Sequence, residues 1–363
     1  MRVLVWQWGR RGAGPLVAAV MAQALSTVPG TTALLSLSTG AELLRTGDPP
    51  APALPFATYA SLPGLIGRVL SAPWTVPRLA RWIVAQQIDV SLCAMPAALD
   101  LLMAGAMRRA GVPFAVVVHD AQPHPGDVVP AQARLQRALL RRAAGVFTLT
   151  AHVADHLPPS LFRCPGGPVS FRSSLPPLVF APPPAAPRAH GGPLRLLSFG
   201  RLLPYKGLDL LQQALAIVGP RPDLVVRVVG QGPPSPELTA LAAMPGVTVE
   251  NRWVPENEMA AVVAWADVLA LSHREASQSG VAAAALAARR WVIATDVGGL
   301  REQLSHEPAA LICPMTATDL AVAIRTVLSG GLPLPAPAVP GWDAQARQMA
   351  ADLRTLSSRT QAR

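Results

Sequence analysis

The chain carries 31 basic residues, and Lys206 is the single lysine among them. It stands five residues after Arg201, at the head of the apolar helical pattern 208–217. A planar guanidinium and a compact ammonium converging on one loop at a helix start would hold a diphosphate through charge-assisted hydrogen bonds. A cation at the positive end of a helix dipole is unfavourable unless an anion sits beside it. Further along, the apolar run 268–270 leads into Ser272-His273-Arg274-Glu275, and Ser279, Gly280 and Val281 then open an alanine-rich helical stretch. Their N–H groups are placed to receive a phosphate. Glu275 has two readings from position alone: a carboxylate facing the same ligand as Lys206, or a surface partner of Arg274 or Arg252.

The N-terminal half has its own glycine-rich turn, Gly9-Arg10-Arg11-Gly12-Ala13-Gly14-Pro15, directly after an apolar run. Its order is G-x-x-G-x-G, and no acidic residue ends the next strand pattern to hold a ribose, so a dinucleotide is not expected. Gly12 is a candidate anion contact, with a plain tight turn as the other reading. His119-Asp120 closes the run 114–118, and His124 and Asp127 follow in a Pro-broken loop. This spacing matches no common metal-ligand pattern, so no bound metal is expected. A structural histidine bonded to the next loop remains an open reading of His119.

These groups need a scaffold that brings loop ends together. Short β-branched runs at 3–6, 32–37, 90–93, 114–118 and 146–149 alternate with helical patterns, and the alternation restarts at 194–199, 225–229, 247–250, 268–270 and 291–294. That order predicts an α/β chain of two Rossmann-like domains, each a parallel sheet with its ligand edge at the strands' carboxyl ends. We assign residues 1–180 to the first domain, 181–193 to a Pro-rich linker, 194–335 to the second domain, and 341–358 to a closing helix. Two such edges facing one another would form a cleft.

Composition narrows the class. With 51% apolar and 14% charged residues in 363, a globular chain with a sizeable core is expected. The three cysteines are far apart and show no ligand spacing, as expected of reduced thiols in a cytoplasmic protein. No apolar run reads as a signal-peptide core or a spanning helix. The net charge is +10, and residues 1–190 hold 16 arginines against 7 acids. Between Leu62 and Gln87, Trp74 and Trp82 interleave with Arg68, Arg78 and Arg81, the mixture of an interfacial surface. An anionic membrane surface is therefore an expected partner, alongside the plainer reading of a helix packed on its sheet. Nucleic acid is not, since no recognition motif accompanies the basic charge.

Gly200-Arg201, Lys206-Gly207, Gly230-Gln231-Gly232, Trp265-Ala266-Asp267-Val268, Glu275 and the run Ala294 to Glu302 stand in the order and near the spacing of family 4 glycosyltransferases. The chain resembles that family from about Leu194 to Cys313, and more loosely in its first half. The resemblance implies a GT-B architecture, a nucleotide sugar bound mainly by the second domain, retaining transfer, and no cofactor beyond the donor substrate. It assigns Arg201 and Lys206 to the donor diphosphate, Glu275 to the first carboxylate of an E-x7-E motif beside the sugar, and His119 to a sugar contact from the acceptor side. The second carboxylate is replaced: its place falls at Ala284. Arg289 and Trp291 stand where the family has Gly and Pro, and Arg252-Trp253-Val254 are candidates to touch the base. The expected activity is hexosyl transfer to a saccharide or lipid-linked acceptor in polysaccharide or glycolipid synthesis, at the cytoplasmic face of a membrane. A nucleotide-sugar epimerase and a binding subunit without turnover are the alternatives.

Overall fold

A computed structural model describes residues 1–46, 49–122, 130–180, 182–336 and 341–361. The described residues divide into two compact units, one of residues up to 122 with 130–174 and 342–361, the other of the described residues from 175 to 341. The first unit is built on seven strands: β1 (Arg2–Gln7), β2 (Thr32–Ser38), β3 (Leu54–Phe56), β4 (Val90–Cys93), β5 (Phe114–Val118), β6 (Gly145–Thr148) and β7 (Val169–Arg172). They lie in the order β3-β2-β1-β4-β5-β6-β7, and every pairing is parallel. The second unit holds six: β8 (Leu194–Phe199), β9 (Leu224–Gly230), β10 (Val247–Asn251), β11 (Val268–Leu271), β12 (Trp291–Thr295) and β13 (Ala310–Cys313). Their order, β10-β9-β8-β11-β12-β13, is again wholly parallel. Both are doubly wound, so the strand order reverses beside β1 and beside β8, and the loops after those two strands splay apart into a crevice.

Central strands of such sheets are covered on both faces and read as unbroken apolar runs. Val3, Leu4, Val5 and Trp6 of β1 are all fully buried, as are Leu194, Leu196 and Leu197 of β8. The helix Gly14–Ser26 follows β1 with Pro15 in its first turn, where a missing N–H costs nothing. The stretch around Trp74 forms two helices. Ala72–Ala85 buries Leu79, Ala80 and Ile83 on the sheet, as the plainer reading had it, whereas Leu62–Leu70 buries none of its residues.

Two boundaries differ from the sequence assignment. Residues 175–180 belong with the second unit, since Leu178 is buried and its N–H donates to Ala283 O at 3.1 Å. The Pro-rich stretch assigned as linker is strapped onto the same unit by two buried charges. Asp267 accepts the N–H groups of Arg188 (2.6 Å) and Arg195 (2.9 Å) and a bond from His190 Nε2 (2.9 Å). Arg290 donates to Ala266 O at 3.1 Å, to Ala288 O at 3.0 Å and to Ala185 O. Proline supplies no N–H to secure such a segment, so fixed side chains do it instead. The final helix, Asp343–Gln361, buries Ala346, Met349, Ala350, Leu353 and Leu356 within the first unit, and Arg354 Nη2 donates to Thr31 Oγ1 at 2.9 Å.

Candidate functional site

The crevice after β8 gathers most of the candidate residues. β8 ends in Gly200 and Arg201, and a single 3₁₀ turn, Pro204–Lys206, leads to the helix Leu208–Val218. Gly207 joins the two in the left-handed region, with φ 64°, and a Cβ there would overlap Ser272 O of the loop after β11. Only glycine allows that approach, and it is what seats Lys206 against the β11 loop. Lys206 Nζ lies 2.7 Å from His273 Nε2, and Ser272 Oγ donates to Lys206 O at 2.9 Å. The buried Tyr205 ring carries both cations: its centroid is 5.2 Å from Lys206 Nζ and 5.3 Å from Arg201 Cζ. An aromatic face attracts each cation, while the two positive charges held around one ring favour an anion as third party.

The β11 loop is braced along its length. Arg274 N–H donates to Tyr205 O at 2.8 Å, and Thr295 Oγ1 donates to His273 O at 2.5 Å. The two arginines named as surface partners of Glu275 are engaged by other carboxylates. Arg274 Nε binds Asp209 Oδ1 at 3.0 Å, which holds the Asp209 carboxyl below its ordinary range, and Arg252 is engaged by Glu250 and Glu258. Glu275 is half-buried, with its N–H directed to Tyr205 O at 3.4 Å.

One expected anion contact is corrected here. Ser279 does not offer its N–H to a ligand: that N–H donates to Gln303 Oε1 at 2.8 Å, and Gln303 Nε2 returns a bond to Ser279 O at 3.0 Å. The Ser279 hydroxyl caps the helix Gly280–Ala287 by accepting from Ala282 N–H at 3.2 Å. Gly280 and Val281 are the first two helical residues, whose N–H groups find no acceptor within a helix. Ala284 is buried beside Leu178, Phe180, Ala260 and Val263 around a cavity of about 30 Å3. Val254, a candidate base contact, is core instead, and Trp253 is half-buried.

In the first unit, the turn after β1 is shaped by a residue the sequence reading passed over. The buried Gln7 side chain folds back under the turn and accepts from Gly9 N–H at 2.9 Å. A Cβ at Gly9 or at Gly14 would press on its amide, so two of the three glycines serve this packing. Gly12 alone sits over open space, with φ 80°. His119, at the carboxyl end of β5, is 6% exposed, and its Nε2–H donates to Ala94 O at 2.9 Å. Burial holds its pKa below the ordinary value, so the ring is neutral. Ala94 begins a loop anchored by the buried Asp100, which accepts from Ala97 N–H (2.6 Å) and Trp6 Nε1 (3.1 Å) and from Cys93 Sγ (3.4 Å). Burial pushes Asp100 up to about 7. His124 and Asp127 lie outside the described residues, and among the described residues no three His, Cys, Asp or Glu form a metal-sized cluster.

Comparison with known proteins agrees with the fold. Residues 13–163 match the family described as "Glycosyl transferase 4-like domain", and residues 193–330 match "Glycosyl transferases group 1". A 2-deoxystreptamine glucosyltransferase of Streptomyces kanamyceticus is 29% identical over 76% of this chain and 80% of its own length. A D-inositol 3-phosphate glycosyltransferase of Jonesia denitrificans is 36% identical, over 32% of this chain and 30% of its own length. Among solved structures, the Anabaena protein HepE, crystallised with UDP and glucose, superposes with a TM-score of 0.63 at 18% identity, covering 98% of this chain and 97% of that one. The likeness to that structure is one of fold, which spans both doubly wound units. No described helix is long and apolar enough to cross a membrane. With both halves matched in order, the chain belongs to the group 1 glycosyltransferases of family 4, of GT-B type.

Proposed function

We propose that the chain moves a hexose, with retention, from a nucleotide-diphosphate sugar to a saccharide or lipid-linked acceptor in polysaccharide or glycolipid assembly. The observation that carries this reading is the position of Lys206, held by Gly207 and Tyr205 at the carboxyl edge of β8 with Nζ 2.7 Å from His273 Nε2. In this account Lys206 and Arg201 take the donor diphosphate, with the N–H groups of Gly280 and Val281. As the bond from sugar to phosphate breaks, these groups absorb the charge of the leaving diphosphate, an effect worth about a hundred- to a thousand-fold per well-aimed donor. The leaving phosphate oxygen takes the proton of the acceptor hydroxyl as that hydroxyl bonds to the sugar. Glu275 orients the sugar hydroxyls and shields positive charge on the ring. His119, whose Nε2–H is taken by Ala94 O, meets the sugar as a neutral acceptor, and Gly12 leaves its turn open to an anion. Positive charge comes from arginine and lysine, so no resident metal or cofactor enters the scheme.

The glucosyltransferase relative and the UDP- and glucose-bound neighbour make a UDP-hexose the first donor to test. We place the enzyme at the cytoplasmic side, with a lipid-linked acceptor presented at an anionic membrane surface. The test is release of nucleotide from UDP-glucose, UDP-N-acetylglucosamine, GDP-mannose and ADP-glucose, with and without mono- and disaccharide or prenyl-phosphate-linked acceptors. Release that requires an acceptor and yields a glycosylated product supports the proposal. Turnover of a nucleotide sugar into its epimer without acceptor would overturn it.

A further inference from the structure

Leu65 of the helix Leu62–Leu70 packs against the first unit's core, while the helix turns a broad apolar face away from it. Leu62, Ile66, Val69 and Leu70 are each more than half exposed, and Trp74 in the next helix is 75% exposed. Scattered exposed apolar residues need no account, but five large ones within thirteen positions form a patch that does. The helix is firmly held beneath this face. Ser61 caps it, and Arg68 turns inward, Nε donating to Thr58 O at 3.1 Å with the guanidinium over the Phe56 ring. Arg10, from the glycine turn after β1, donates to Tyr59 O at 3.0 Å. The patch is therefore fixed beside the carboxyl edge of the first sheet, where the acceptor-side residues lie.

The charge around it points to one occupant. Residues 49–88 contain no Asp or Glu, and Arg78 and Arg81 stand exposed in the helix that follows. A second copy of the chain docked face to face would bring arginine against arginine. An anionic bilayer instead offers apolar depth to the Leu, Ile and Trp side chains and phosphates to the two guanidinium groups. We infer that residues Leu62, Ile66, Val69, Leu70 and Trp74 seat this unit on the surface of an anionic membrane, with Arg78 and Arg81 on its headgroups. The inference rests on the proposed lipid-linked acceptor and names the surface that brings the chain to it.

The test is co-sedimentation of the full chain with vesicles of phosphatidylcholine alone or with about one third phosphatidylglycerol. The wild type binds the anionic vesicles about tenfold or more better than the neutral ones. Ile66→Asp with Trp74→Asp removes binding to both. Arg78→Glu with Arg81→Glu abolishes the preference for anionic lipid. Equal binding by wild type and the Ile66/Trp74 variant, or no binding by the wild type, overturns the inference, as does a wild-type dimer in sedimentation that this variant breaks. A nucleotide-dependent thermal shift, measured on the same preparations, separates the two claims. Lost vesicle binding with an intact shift counts against this surface alone, and vesicle binding without any shift counts against the transferase reading alone.

Discussion

Replacing Lys206 by arginine keeps the charge and changes the shape, and the structure says that shape decides. The ammonium reaches His273 Nε2 at 2.7 Å over the Tyr205 ring, at the end of a turn fixed by Gly207. A guanidinium is longer and planar, and it must leave this pocket or displace His273, which is itself held through its carbonyl by Thr295 Oγ1 at 2.5 Å. A charge-assisted bond to the donor diphosphate is worth about 1.5–3 kcal/mol. That corresponds to about ten- to 150-fold in donor affinity. In the transition state, where the diphosphate gains charge, loss of one aimed donor costs about a hundred- to a thousand-fold in kcat. Lys206→Arg therefore falls to the level of Lys206→Ala, at least about a hundredfold below wild type. The assay is initial-rate sugar transfer at saturating donor, with thermal unfolding of each variant to show an intact fold. An arginine variant with near wild-type kcat would refute the reasoning, because charge alone would then suffice.

Three further outcomes follow from particular residues. Gly207→Ala meets both the left-handed backbone penalty of about 1–2 kcal/mol and the overlap with Ser272 O, whereas Gly111→Ala, left-handed at φ 71° over open space, meets only the first. Chemical denaturation should rank the two in that order, and only Gly207→Ala should lose nucleotide binding. Arg289 sits at φ 52° with a buried Nε that no acceptor meets, so Arg289→Gly should stabilise the chain by about 1 kcal/mol and raise Tm by a few degrees; a lower Tm would contradict this. Asp100, raised from 3.8 to about 7, favours the fold most when protonated, so its contribution is fully present below about pH 4 and is lost as pH rises toward 7. The stability difference between wild type and Asp100→Asn should therefore shift against the wild type by about 2–3 kcal/mol from pH 5 to pH 8, and a pH-independent difference would remove the raised pKa.

What could be read from the sequence were the central strands and the loops that follow them. β1, β4, β5, β8, β11 and β12 are buried on both faces and so appear as apolar runs. The strands that escaped, β3, β7 and β13, all lie at sheet edges, are three or four residues long, and are mostly only partly buried, with Pro55 inside β3. A short edge strand carries little of the apolar pattern, whereas β10, an edge strand of five residues, still shows its alternation at 247–250. The Lys206, Arg201 and Glu275 loops stand out in the sequence because charged residues of these types are unusual at strand ends and helix starts. Gln7, Asp100, His273 and Gln303 were missed because they act by reaching back across the fold, at separations no local pattern records. The same holds for Asp267 and Arg290, whose burial turns a Pro-rich stretch from an apparent free linker into a strap. His190 alone could have hinted at it.

The central claim is that the crevice after β8 is a nucleoside-diphosphate site built on Lys206. The measurement that tests it most directly is a thermal-shift titration of the full chain with UDP, GDP and ADP beside the Lys206→Ala variant. The account predicts a saturable shift selective for one nucleotide, with UDP first, that the variant loses while its own Tm stays near wild type. No shift with any of the three at millimolar concentration, or an equal shift in the variant, would contradict it.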